Sequence, residues 1–156
     1  MVAKSRPPQI TGTYFAAQLA TKYIQSHGKG GSIVLIASIS GQMAAPGIKL
    51  SAYNASKGAV RMLGNALSVE LAPENIRVNS ISPGYIDTEL LTPLKISQPK
   101  RVNLMRQEPP MKRIGNRNDI MPAIVYLLSD AASYTTGAEL EISGGMTAGR
   151  IETPYL

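Results

Sequence analysis

Cysteine and tryptophan are absent from this 156-residue chain, and phenylalanine occurs once. Without cysteine there is no disulfide framework, no thiolate metal site and no thiol nucleophile. With a single Phe and no Trp, there is little to stack nucleic-acid bases on. No run approaches ~18 consecutive apolar residues, so no membrane-spanning helix is expected. An apolar core of a secretory signal is missing after Met1, and a cytoplasmic protein is the expectation. Acidic residues are absent from the first 69 positions, which hold Lys4, Arg6, Lys22, Lys29, Lys49, Lys57 and Arg61; the first carboxylate is Glu70. No metal site is expected.

What remains is globular. Hydrophobic residues make up 44% and charged residues 17%, a balance that excludes wholesale disorder. The length is that of one domain. The net charge of +6 is scattered, with a second basic bias across 95–117, where Glu108 is the sole acid. Scattered charge of this kind suits an anionic small ligand, such as a phosphate-bearing cofactor, better than a nucleic acid.

Residues 1–9 read as a Pro-containing lead-in. From Thr11 to Ser26, Phe15, Leu19 and Tyr23 recur at helical spacing, and the glycines from Gly28 to Gly31 stop the helix. Ser32–Ile36 is a continuous apolar run, the pattern of a strand inside a parallel sheet. A Ser/Gly/Pro loop over 38–50 leads into a long helix, Ser51–Leu71, whose end is marked by Pro73. Ile76–Ile81 is a second strand, closed by Pro83-Gly84. Residues 85–117, with Pro93, Pro99, Pro109 and Pro110, read as a long irregular loop, the usual form of a lid. Asn118 is the expected cap of a helix over 119–129. Ala138–Ile142 is the last strand, before Gly144-Gly145. Helices alternating with strands predict an α/β fold with a parallel sheet of three strands.

Tyr53 and Lys57 stand four apart on the long helix and so share a face. A phenol is a poor acid or base at neutral pH, and a nearby ammonium favours its ionised form. Such a pair can exchange a proton with an alcohol or carbonyl. Ser38 follows the first strand, where the carboxyl ends of parallel strands gather ligands. Its hydroxyl can hold a substrate oxygen, or merely cap a turn. Pro83-Gly84 ends another strand, with Thr88 just beyond it. Taken singly, each of these residues has an ordinary structural explanation.

Together they do not. The blocks GSIVLIASISG, YNASKGAV, LAPENIRVNSISPGYIDTEL and RIGNRNDIMPAIVYLLSDAASYTTGAELEISGG resemble the short-chain dehydrogenase/reductase family, in the family's own order, from about Ile10 to Met146. The resemblance implies a Rossmann-like, doubly wound sheet, here its last three strands and their helices. It implies hydride exchange between NAD or NADP and an alcohol/carbonyl pair, with NADP slightly favoured by the basic balance. By resemblance, Tyr53 is the proton donor and acceptor. Lys57 eases its deprotonation and binds the nicotinamide ribose. Ser38 orients the substrate oxygen. Pro83, Gly84, Ile86 and Thr88 match the segment that contacts the nicotinamide, and Tyr85 opens the substrate lid. The helices over 11–26 and 51–71 match those that pair subunits into a homo-oligomer. The substrate leaning is toward sugars and polyols.

The departures are equally specific. The Gly-rich dinucleotide turn does not occur in this sequence. Gln9 stands where the family has an asparagine, and Ser143 where an aspartate is common. Residues 10–146 therefore match the C-terminal part of the family's domain, with 147–156 as a tail. A truncated oxidoreductase is the first expectation. A non-catalytic form acting through its subunit-pairing helices, or a fragment with no activity of its own, are the alternatives.

Overall fold

The computed structural model describes residues 9–45 and 49–149. The lead-in, apart from the backbone of Gln9, and the tail beyond Gly149 lie outside them. The elements in order are α1 (Gln9–His27), β1 (Gly31–Ile36), α2 (Ser51–Leu71), β2 (Ile76–Pro83), α3 (Thr92–Ser97), α4 (Pro99–Gln107), α5 (Arg117–Leu128) and β3 (Glu139–Ile142). The strands form one parallel sheet in the order β1-β2-β3. Gly31–Ile36 pairs with Ile76–Ile81, and Ser80–Pro83 pairs with Glu139–Ile142. Each parallel neighbour needs a crossover, supplied by α2 between β1 and β2 and by α3–α5 between β2 and β3.

The pleat divides the sheet cleanly. Ile33 and Leu35 of β1 and Ile76 and Val78 of β2 face α1 and α2, forming one buried cluster with Ala17, Val60 and Leu71. On the opposite face, Ser32 and Arg77 are register partners. The Ser32 hydroxyl and the Arg77 guanidinium both donate to the carbonyl of Leu127, which places α5 there. Arg77 also donates to the carbonyls of Ser129 and Thr135, so one side chain holds the end of α5 and the turn that follows it. Among the described residues, no helix is long and apolar enough to cross a membrane.

Three sequence expectations need correction. The segment 85–117 is not irregular: it contains a short 3-10 turn, Glu89–Leu91, and the helices α3 and α4. Pro93 and Pro99 sit within the first two positions of those helices, where a missing N–H costs nothing. The cap of α5 is Asn116, not Asn118. Its side chain accepts from the Asn118 amide while Asp119 accepts from the Asn116 amide, a reciprocal pair that starts the helix at Arg117. Finally, β2 runs on to Pro83, because Ser82 and Pro83 still find partners in β3.

Candidate active site

Ser38 lies two residues beyond the end of β1 and is buried. Its extended backbone (φ −171°, ψ 151°) caps the 3-10 turn Ile39–Gly41, and its Oγ accepts from the Ser40 amide at 3.2 Å. The turn-capping role is therefore real. A hydroxyl keeps a proton to donate and a second lone pair, so capping does not preclude holding a substrate oxygen.

The turn packs directly on α2. A Cβ on Gly41 would lie 2.8 Å from the Lys57 carbonyl carbon, 2.9 Å from the Gly58 amide nitrogen and 2.9 Å from Cδ of Arg61. Only glycine lets the two backbones approach this closely. The contact brings the Ser38 turn against the helical turn that starts at Lys57.

Tyr53 lies in the first turn of α2 and Lys57 one turn on, both half-buried. The Lys57 ammonium stands 5.8 Å from the centroid of the Tyr53 ring. It donates at 2.9 Å to the carbonyl of Ile36, the last residue of β1. That bond ties α2 to the strand end two residues before Ser38. Burial pushes the Lys57 ammonium below its ordinary lysine value. Its other two N–H donors are available to a ligand hydroxyl.

The second strand end lies beside the first. Ile81 pairs with Ile36, and Pro83 continues two residues further. Gly84 donates to the Ile142 carbonyl, and a Cβ there would sit 2.9 Å from Cα of Ser143. The hydroxyl of Tyr85 donates to Glu108 at 2.8 Å, joining this loop to the residue just past α4. Ile86 bridges to Gly115, and Thr88 leads into the turn Glu89–Leu91. All eight residues singled out from sequence thus lie at or beyond the carboxyl ends of two adjacent parallel strands, or on the helix packed against one of them. Gln9 begins α1, and its side chain falls outside the described residues.

Sequence reasoning missed the mooring behind the site. Arg61, one turn past Lys57, forms a salt bridge at 2.5 Å with Glu139 of β3, and Glu139 also accepts from the buried Ser82 hydroxyl. Gln42, just past the Ser38 turn, donates to Glu141 of the same strand. Helical spacing from Lys57 could have flagged Arg61. Nothing local flags Glu139, which is 78 residues away.

A family model described as enoyl-(acyl carrier protein) reductase matches residues 8–147. A crystal structure of a short-chain type dehydrogenase/reductase from Mycobacterium marinum superposes with a TM-score of 0.83 at 41% identity, over 89% of this chain and 53% of that one. The chain belongs to the short-chain dehydrogenase/reductase family. Its sheet is part of that family's Rossmann fold. An NADP-dependent (R)-specific alcohol dehydrogenase of Lentilactobacillus kefiri is 40% identical over 141 residues, 89% of this chain and 54% of the relative. Sorbose reductase sou1 of Schizosaccharomyces pombe is 40% identical over 136 residues, 87% of this chain and 51% of the relative. The chain spans about half the length of the curated relatives it matches.

The residues present fit one end of a nicotinamide cofactor. Lys57 offers an ammonium with two N–H donors beyond the one given to Ile36, and Pro83-Gly84 ends the neighbouring strand. The sequence offers no glycine-rich turn from a strand into a helix for a pyrophosphate.

Proposed function

We propose that this chain carries the catalytic portion of an NAD(P)-dependent oxidoreductase that interconverts an alcohol and a carbonyl. One observation carries the reading: the Lys57–Ile36 hydrogen bond, which sets the Tyr53–Lys57 face of α2 against the strand end that leads into Ser38. In the reducing direction, Ser38 holds the substrate oxygen and Tyr53 passes it a proton. Lys57 supplies positive charge beside the Tyr53 ring and holds the ribose of the cofactor. Pro83, Gly84, Ile86 and Thr88 flank the nicotinamide, and Tyr85 opens the loop that covers the substrate. The bound nicotinamide supplies the hydride that the carbonyl carbon takes up. NADP is favoured over NAD, in line with the NADP-dependent relative from L. kefiri. A small hydroxylated substrate such as a sugar or polyol is favoured, in line with the sorbose reductase.

The test is transfer of deuterium. The purified protein is incubated with NADPH deuterated at the transferable position and a panel of keto-sugars and small ketones. The expected result is an alcohol product carrying the label. Protein that binds NADPH yet labels no product would overturn the reading.

A second reading is subunit pairing through α1 and α2, which an exposed apolar stripe favours. Phe15, Leu19 and Tyr23, spaced four apart on α1, are 55%, 67% and 68% exposed, and Met62 and Val69 stand out from α2. Beside them lies an apolar groove of about 470 Å³ lined by residues that include Ile10, Tyr14, Met62 and Leu63. Leu19→Glu should then convert an oligomer to smaller species in light scattering. An unchanged mass would remove this reading and leave the catalytic one intact.

A further inference from the structure

Between α2 and β3 lies a polar network outside the proton-transfer residues. We infer that Glu139 and Glu141 are positioning residues, which through Arg61 and Gln42 hold the Ser38 turn and the Tyr53–Lys57 helix at a fixed separation. The inference rests on the proposed oxidoreductase reading for its purpose and on geometry for its mechanism.

The two carboxylates alternate along β3 and pair in register with Ser80 and Ser82. All four therefore point to the face that α2 covers. Toward its carboxyl end this face turns from apolar to polar, from Ile76 and Val78 to Ser80 and Ser82. Glu139 receives Arg61 from α2 and Ser82 from the central strand. Glu141 receives Gln42 from the Ser38 side. The Ser38 turn and α2 are thus moored to alternate positions of one strand.

Among the described residues, the start of α2 has few other polar restraints. Its cap position, Leu50, makes no side-chain hydrogen bond, and Ser51, Ala52, Ala55 and Ala59 are exposed. Its first three turns are held by the buried Val60, the Lys57 bond to Ile36, the close contact with Gly41 and the Arg61–Glu139 pair. Charge adds a second reason for the pair. Arg61 and Lys57 are like charges one turn apart, which repel. Glu139 neutralises the outer one and leaves the inner one in place.

The test reads the ionisation of Lys57, which does not need turnover. Competitive acetylation across a pH series, followed by peptide mass spectrometry, gives that value in the native protein at whatever length it is isolated. The two explanations of the network predict opposite signs for Glu139→Gln. If Glu139 only balances charge, Arg61 is left uncompensated and Lys57 is pushed further down. If Glu139 positions the helix, Lys57 is released into water and rises toward its ordinary 10.5. Arg61→Lys with Glu139 intact keeps the charge and an ion pair and should leave the wild-type value in place. A fall, or no change, in a Glu139→Gln protein that melts cooperatively would overturn the inference. Should that variant not fold, the exposed Gln42→Ala decides in its place, with a smaller rise expected and no rise refuting. Wild-type protein that binds NADPH yet transfers no deuterium would remove the oxidoreductase reading and leave this measurement interpretable.

Discussion

Two glycines on either side of the site should respond in opposite ways to the same substitution. At Gly41 an added methyl would meet the Lys57 carbonyl carbon at 2.8 Å and the Gly58 amide nitrogen at 2.9 Å, both backbone atoms that cannot rotate away. The turn must lift off α2. Overpacking of this kind costs about 1–3 kcal/mol. For a chain this size that lowers Tm by about 3–10 °C. The same displacement shifts Ser38 relative to Tyr53, and a misplacement near 1 Å can lower turnover by about 10²-fold. At Gly64, in the buried middle of α2, the nearest atoms to an added methyl are Leu35 Cδ1 at 3.6 Å and Ser80 Cβ at 3.7 Å, ordinary contact distances. There Gly64→Ala gains about 0.5–1 kcal/mol from helix propensity and should raise Tm by about 1–4 °C without loss of activity. The assay is a pair of thermal melts with kcat and KM for both variants. A Gly41→Ala protein with wild-type Tm and turnover would refute the claim that the Ser38 turn is wedged against α2.

Three further outcomes follow from separate parts of the molecule. Arg77→Met removes the donor shared by the carbonyls of Leu127, Ser129 and Thr135; with partial access to water it should cost about 2–4 kcal/mol, read as a shift in urea midpoint, and a shift near zero would contradict the clamp. β1 is an edge of the described sheet, apolar and free of charge or proline, so the isolated 156 residues should aggregate or persist as an oligomer. Val34→Lys should improve their solubility, and a monodisperse wild-type monomer in light scattering would contradict this. Asp119, held to about 2 by Arg113 and the Asn116 amide, contributes stability that is present above its ordinary 3.8 and is lost as pH falls toward 2. Denaturation midpoints across that window should fall for wild type and stay flatter for Asp119→Asn.

Much of this architecture is legible because its signals are local. The leucines of α2 recur every three or four residues up to Pro73, and the helix observed is Ser51–Leu71, as read. Ile33 and Leu35 announce a buried strand, and the structure places both in the core. Helices α3 and α4 were hidden because prolines read as breakers unless their position within a turn is known; Pro93 and Pro99 open helices rather than end them. The cap of α5 slipped by two because Asn116 and Asn118 are both good caps, and only the reciprocal bond from Asp119 chooses between them. Ser38, Tyr53 and Lys57 were readable from strand-end logic and family resemblance together. Arg61, Glu139, Ser82 and Glu141 were not, because their meeting depends on strand register across three separate segments.

The central claim is that Tyr53 moves the proton. Tyr53→Phe removes one oxygen and leaves the ring that faces Lys57, so the helix and the cofactor contacts should survive. In protein whose wild type transfers deuterium from labelled NADPH, the account predicts turnover lower by about 10²-fold or more, with NADPH affinity little changed. Turnover of Tyr53→Phe near the wild-type rate would contradict it.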